Sequence, residues 1–314
     1  MVLHEPVMAA EVVRLLAPRP GGRYVDATLG SAGHARAVLE AAPGARLLGI
    51  DRDPQALEVA RGRLAPYGEA ATVRHGRFDG LEEIAAASGF EQADGVLFDL
   101  GLSSLQLAAA GRGFSFLRDD PLDMRMDPSA SGPDAAAIVN SYAERELSGL
   151  LREFGEERRH RAIARAVVAS RPLRTTGDLV TAIEQAVGPG RGRPDHIHPA
   201  TRTFQALRIA VNGELSLLDA ALPGAHGLLA AGGRLVVLAY HSLEDRIVKG
   251  FLRREATDCL CPPRSPACVC GHEATLSDLT RRPLRPGAAE LARTPRSRSA
   301  RLRAAERLPA GAAP

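Results

Sequence analysis

Three short apolar runs each stop on an aspartate: Arg23-Tyr24-Val25-Asp26, Leu47-Leu48-Gly49-Ile50 closed by Asp51, and Gly95-Val96-Leu97-Phe98 closed by Asp99. Helix-like stretches separate them, His34 to Ala42 and a segment from Pro54 to about Leu64, where proline suits the first helical turn. Ala71 to Arg74 reads as a further strand. Runs this short that do not alternate with polar residues are buried on both faces, which happens in a parallel sheet covered by helices above and below. In such a sheet, ligands bind at the carboxyl ends of the strands. The three aspartates therefore point to one crevice.

Beyond Asp99 the rhythm breaks. From about Leu105 to Leu215 no strand is evident, and helical periodicity covers Glu144 to Phe154, Arg158 to Ser170 and Asp178 to Val187. A turn at Gly232-Gly233, a buried strand from Arg234 to Tyr240 and a helix from Leu243 to about Glu255 then resume the α/β pattern. The organisation expected is a doubly wound domain from residues 1–104 and 215–314, interrupted by a helical insertion of residues 105–214. There is no internal repeat.

The first loop, Asp26-Ala27-Thr28-Leu29-Gly30-Ser31-Ala32-Gly33-His34, lies between strand and helix, and Gly30 and Gly33 let backbone approach a ligand closely. Asp51, at the end of the second strand, can accept hydrogen bonds from both hydroxyls of a ribose, a device shared with dinucleotide-binding proteins. Two features favour S-adenosylmethionine over a pyrophosphate. The loop is G-x-x-G without the full G-x-G-x-x-G, and Asp26 would repel phosphate while suiting an ammonium or sulfonium. A structural turn with solvated acids is the plain alternative. After the third strand, Phe78 could pack on an adenine with Asp79 nearby; after the fourth come Asp99 and Gln106.

The 314 residues carry 45% hydrophobic and 25% charged side chains and a formal charge of +3. That is ordinary for a globular protein and excludes neither acidic nor basic partners. No stretch reaches the length of a membrane span, and the start lacks the basic, apolar pattern of a secretory signal, so a cytoplasmic protein without membrane contact is expected. Arginine supplies all the positive charge except Lys249. It clusters at Arg158, Arg159, Arg161, Arg165, Arg171 and Arg174 with His160, and again at Arg191, Arg193, Arg202 and Arg208 with His196 and His198. Nine more arginines lie between Arg281 and Arg307, facing only Glu290 and Glu306. Such a tail attracts phosphates without reading sequence. Neighbouring Glu153, Glu156 and Glu157 make part of the first cluster equally readable as an ion-paired helix face. The four cysteines, Cys259, Cys261, Cys268 and Cys270, form two C-x-C pairs. These are weaker zinc signals than C-x-x-C, reduced thiols in a folded loop are the alternative, and no metal is assigned from sequence.

Taken together, HEPVM, DATLGSAGH, LLGIDRDPQAL, DLGLSSLQL, RGFSF, PLDMRMD, HPATRTFQALRI and HSLEDRIVK resemble the bacterial 16S ribosomal RNA cytosine-N4 methyltransferases that modify the decoding centre (RsmH/MraW type), from His4 to about Arg307. The resemblance implies a class I S-adenosylmethionine methyltransferase fold, Rossmann-like, with a helical insertion that recognises RNA. It implies S-adenosyl-L-methionine as cofactor and the 16S rRNA of the small ribosomal subunit as partner. It is compatible with a homodimer. The family's donor contacts fall on Ala32, Gly33, His34, Asp51, Phe78, Asp99 and Gln106. Ala32 stands where the family often has glycine; slightly altered loop packing is expected there, on condition that φ is negative.

For the acceptor, Asp99 and the Leu100 carbonyl sit where amino-methyltransferases commonly place an acid and a backbone acceptor, although their Pro-Pro-aromatic sequence is absent. His241 is the second catalytic candidate, as a proton acceptor, against a role holding Glu244 or Asp245 in place. Asp123, Arg125 and Asp127 could form a lid or an ion-pair network. The competing functions are a DNA amino-methyltransferase, a nicotinamide-dependent oxidoreductase and a non-enzymatic ribosome-assembly protein.

Overall fold

The computed structural model describes residues 6–188, 198–262, 265 and 267–309. Arg191, Arg193 and His196 of the second basic cluster, and His4 and Glu5 of the first motif, lie outside them. The chain divides into two compact units, Met1–Gly101 with Leu215–Pro314, and Leu102–Glu214.

The first unit is built on seven strands: β1 (Arg23–Asp26), β2 (Arg46–Asp51), β3 (Ala71–His75), β4 (Ala93–Asp99), β5 (Leu229–Ala239), β6 (Leu276–Asp278) and β7 (Arg301–Arg307). They are ordered β3-β2-β1-β4-β5-β7-β6. The first five are parallel, and β7 runs antiparallel to both β5 and β6. Order reverses between β1 and β4, which opens the crevice at their carboxyl ends.

The apolar runs are continuous because both faces are covered. Leu48, Val96, Phe98, Leu235 and Val237 point to one side, against Leu81 and Ala85 of α4 (Leu81–Ala87), Leu218 and Leu222 of α11 (Glu214–Leu228), and Val248 and Phe251 of α12 (Ser242–Glu255). Leu47, Leu97, Val236 and Leu238 point to the other, against α1 (Ala9–Leu16), α2 (Gly33–Ala41) and α3 (Pro54–Leu64). Successive residues of a strand face opposite ways, so a run that is apolar at every position is what two covered faces require.

Two expectations change here. Gly232-Gly233 does not end a turn before the strand; both lie inside β5, whose pairing with β4 slips between Ala93 and Gly95. Gly232 takes φ +76, and a Cβ on Gly233 would stand 2.9 Å from the Ala93 carbonyl oxygen, so the pair forms an irregularity that only glycine fits. The arginine-rich end is also not a tail. Its last segment is β7, with Leu302, Ala304 and Ala305 buried. Arg303 is buried and pairs with Asp245 at 2.7 Å, Arg301 pairs with the same carboxylate at 3.0 Å, and Arg307 donates to the His226 carbonyl.

The second unit contains α5 (Ser104–Ala108), α6 (Ala135–Ser141), α7 (Glu144–Gly155), α8 (His160–Ala169), α9 (Thr176–Val187) and α10 (Ala200–Asn212), around a core that includes Met124, Ile138, Leu151, Ile163, Leu179 and Leu207. Its PLDMRMD segment is held internally. Arg125 makes a bidentate pair with Asp123, the Met126 N–H donates to Asn212 Oδ1, and Asn212 Nδ2 donates to the Met124 carbonyl. A remaining short helix of the first unit, α13 (Ala288–Arg293), carries Glu290.

Candidate active site

The carboxyl ends of β1, β2, β4 and β5 bring together side chains that the sequence scatters over more than two hundred positions. After β1 the chain turns back over the sheet: the Ala27 N–H donates to the Leu97 carbonyl and the Leu29 N–H to the Ile50 carbonyl, both at 2.9 Å. Asp51 at the end of β2 fastens this loop. Its Oδ2 accepts the Gly30 N–H at 2.7 Å and its Oδ1 the Asp53 N–H at 2.9 Å. A carboxylate has about four acceptor positions, so the anchored Asp51 can still accept from ribose hydroxyls. From α3, Arg63 reaches the Ser31 carbonyl at 2.8 Å and holds the loop from outside.

Gly30 takes φ +51 and Ala32, the N-cap of α2, takes φ +62. The condition placed on Ala32 is therefore not met: a non-glycine residue occupies the left-handed region. Its methyl is fully buried and its N–H donates to the Leu29 carbonyl at 2.8 Å, so burial and a tight turn hold it there. Gly33 is tightly placed for a different reason. A Cβ there would stand 3.0 Å from Pro6.

Asp26 and His34 are both almost wholly buried. Burial pushes the Asp26 carboxyl up to about 7, against the pull of the His34 imidazole and the Thr28 N–H, and the charges of Asp99 and Asp51 push the same way. Burial works against protonation of His34, but Asp99, Asp26 and Glu290 together raise its pKa. Burial likewise raises Asp51. His34 Nε2 stands 3.4 Å from Asp99 Oδ2, and its Nδ1 has no hydrogen-bond partner among the described residues. Asp99, Asp26 and Glu290 thus place negative charge about one imidazole and favour its protonated form.

Asp99 is bracketed. Its Oδ1 accepts the Tyr240 hydroxyl at 2.8 Å, its Oδ2 faces His34, and its N–H donates to Thr28 Oγ1. In the sequence Tyr240 is only the end of an apolar run. It directly follows β5, the fourth strand whose end reaches the crevice, and the placement that singles out Asp26, Asp51 and Asp99 singles it out too. Its phenol is raised well above its usual range by burial and by Asp99. Thr28 and Glu290 were also not anticipated as site residues. Glu290, assigned to a basic tail, accepts the Met8 N–H at 2.7 Å and adds to the negative field at His34 and Tyr240.

His241 is placed next to these residues in sequence but engaged elsewhere. It caps α12: Nδ1 accepts the Glu244 N–H at 3.4 Å and Nε2 stands 3.1 Å from Glu244 Oε1. Glu244 Oε2 in turn accepts the Tyr240 N–H at 2.8 Å and the His241 N–H at 3.2 Å. This is the capping arrangement that satisfies orphan donors at a helix start. Phe78 packs edge-on against Phe98, with ring centres 5.8 Å apart, and stays half-buried; Asp79 beside it is paired with Arg77. Gln106 belongs to the second unit, where its Oε1 accepts the Ser103 N–H at 3.0 Å in the capping box of α5.

The donor set fits S-adenosylmethionine. A buried group of carboxylates suits an ammonium and a sulfonium, the doubly anchored Asp51 suits a ribose, and the half-buried Phe78 ring suits a flat base. A parallel five-stranded sheet extended by an antiparallel strand, with this crevice at its switch point, defines a class I S-adenosylmethionine-dependent methyltransferase. The model of the MraW methylase family matches residues 1–308, and the chain belongs to that family. It is 55% identical over 309 residues to the ribosomal RNA small subunit methyltransferase H of Thermomicrobium roseum, covering 97% of this chain and 94% of that protein. The protein of the same name from Geobacter sulfurreducens is 53% identical over 309 residues, covering 97% and 99%.

Proposed function

We propose that the chain transfers a methyl group from S-adenosylmethionine to the N4 amine of a cytosine in 16S rRNA. The observation that carries this reading is the Asp99 carboxylate, held between the Tyr240 hydroxyl and His34 beside the cation-seeking pair Asp26 and Asp51. When bound, S-adenosylmethionine supplies an electrophilic methyl group on a sulfonium. Asp51 holds the ribose, Asp26 the ammonium, and Phe78 packs on the adenine. Ala32, Gly33 and His34 line the approach.

The amine of cytosine is a weak nucleophile because its lone pair is delocalised into the ring. Asp99 accepts its hydrogens, which localises the lone pair and aims it, so that in-line positioning carries much of the rate. The Tyr240 hydroxyl and His34 fix the carboxylate for that task. The proton lost from nitrogen passes to Asp99, with His34 as the adjacent basic group. His241, the other candidate proton acceptor, acts in this reading through Glu244, which holds the backbone of Tyr240 in place.

The helical unit contributes RNA binding through exposed Arg158 and Arg161. Several other arginines of the first cluster serve the unit itself: Arg171 donates to the Val139 carbonyl, Arg159 to the Val187 carbonyl, and Arg165 faces Glu144 at 3.7 Å. Among the described residues no helix is long and apolar enough to cross a membrane. The cytoplasm, where small subunits are made, is the expected compartment, and light scattering reads whether the chain forms a homodimer.

The test is methyl transfer from a labelled donor to small-subunit particles and to naked 16S rRNA, followed by nucleoside analysis. N4-methylcytosine is the product expected. Label on another base, or on DNA in preference to rRNA, would overturn the acceptor and leave the donor site intact.

A further inference from the structure

The loop between α12 and β6 has no function in the methyl-transfer reading, yet it gathers all four cysteines of the chain. Between Thr257 and Ala274 none of the described residues forms a helix or strand. Loops of that length without secondary structure are uncommon in compact domains unless something organises them. Among its described residues this one has no apolar centre to do so: Leu260 and Val269 are 47% and 88% exposed.

The thiols converge instead. The Sγ atoms of Cys259 and Cys268 are 3.5 Å apart, those of Cys268 and Cys270 3.6 Å, and those of Cys270 and Cys259 3.9 Å. All four, including Cys261, lie within 4.8 Å of one another. Four sulfurs on a tetrahedral zinc at about 2.3 Å stand about 3.8 Å from each other. A disulfide needs about 2.05 Å. The spacing is that of ligands around a missing centre rather than of bonded pairs.

The C-x-C spacing explains how the loop achieves it. In extended backbone, residues two apart point the same way and the residue between them points away. That pattern agrees with the convergence of both pairs' sulfurs and with the exposure of Leu260 and Val269 between them. The two halves also support each other's sulfurs: the Leu260 N–H donates to Cys270 Sγ at 3.3 Å, and the Val269 N–H donates to Cys261 Sγ at 3.4 Å. Backbone donors aimed at sulfur stabilise metal-bound thiolates and orient them. The base of the loop is tied down, with the Thr275 N–H on the Glu255 carbonyl at 2.8 Å and His272 Nε2 2.9 Å from the Arg254 carbonyl oxygen.

We propose that Cys259, Cys261, Cys268 and Cys270 bind one Zn²⁺ as a closed tetrathiolate site. Four protein ligands leave no open position, so the ion staples the loop and takes no part in the chemistry. Soft thiolates select zinc over the oxygen-loving divalent ions.

The full chain, expressed with zinc in the medium and purified under reducing conditions without chelator, is expected to carry about one zinc per chain by elemental analysis. A thiol reagent should then release the metal in step with titration of the four cysteines. Replacement by cobalt should give the visible bands and sulfur-to-metal charge transfer of a tetrahedral thiolate site. Cys259→Ser and Cys270→Ser should each lower zinc retention under a competing chelator at least tenfold. Donor binding by both variants should stay at the parent value, which separates loss of the metal from loss of the fold. The proposal is overturned if the reduced protein holds no zinc while all four thiols titrate freely, if mass spectrometry finds the cysteines joined as disulfides, or if iron occupies the site in place of zinc.

Discussion

Asp99 and Asp26 are carboxylates that each end a strand, yet their surroundings give them different tasks. Asp99 has an oxygen on Tyr240 and another toward His34, both fixed by the sheet. Asp99→Asn keeps the shape but loses the charge that accepts the amine's protons. Turnover should fall by about two to three orders of magnitude while donor affinity changes little, as read by single-turnover rates and calorimetry. Equal losses in both would make Asp99 a donor ligand only. Asp26 has its carboxyl raised to about 7 by burial. A raised acid is protonated in the folded state at pH values where the unfolded chain has already lost the proton, so its contribution to stability falls as pH rises from about 4 through 7. The donor's ammonium selects the ionised form, so donor affinity should rise with pH, by at most about tenfold per unit below 7, with proton release. Calorimetry in buffers of different ionisation heat measures this, and Asp26→Asn should abolish the slope. At Ala32, φ +62 costs the methyl side chain about 1 kcal/mol, while a glycine there would lose the buried methyl and gain chain entropy when unfolded. Ala32→Gly should therefore move the melting temperature little. Ala32→Val, β-branched in the left-handed region, should destabilise by about 2 kcal/mol or more.

At the scale of elements, the carboxyl-terminal segment departs most from its sequence pattern. Arg-Leu-Arg-Ala-Ala-Glu-Arg has neither the β-branched residues nor the strict alternation that mark strands, and its charge resembles a phosphate-binding arm. It becomes β7 because β5 presents an unpaired edge and because α12 offers Asp245, buried beside Arg301 and Arg303. Burial alone would raise the Asp245 carboxyl, but the two guanidiniums hold it below its usual range. A depressed acid stabilises the fold above its unfolded pKa and loses that contribution as pH falls below about 4. Arg303→Ala leaves Asp245 short of its best partner. It should cost about 2 kcal/mol in denaturant unfolding at neutral pH, and less at low pH where the carboxyl is protonated. An equal loss at both would mean that packing of the arginine stem, not its charge, secures β7 to α12.

For the whole molecule, RNA affinity should depend on phosphate contacts rather than on stacking, since aromatic residues make up only 4% of the chain and tryptophan is absent. Arg158→Ala with Arg161→Ala should weaken rRNA binding and flatten its salt dependence by about two contacts, leaving donor affinity unchanged. An unaltered slope would place the phosphate contacts elsewhere. The parallel sheet, its helices and the three strand-ending aspartates were legible along the chain because they are local: each rests on periodicity within a few residues and on the rule that strand ends face the ligand. Proline at the start of α3 and the apolar run of β5 were legible for the same reason. What needed the folded chain was pairing over distance. Tyr240 meets Asp99 across 141 residues of sequence, and no local pattern records that. His241 was open between proton transfer and capping until Glu244 stood 3.1 Å from its ring. The sign of φ at Ala32 depends on a turn closed by Leu29 and anchored through Asp51. Sequence by itself marked Asp26, Asp51 and Asp99 at strand ends and the kind of ligand that suits them, because charge and position in a strand are read locally. Tertiary structure alone decided which of them touch, because hydrogen bonds and pKa shifts act over a few ångströms and the chain brings those atoms together only when it folds.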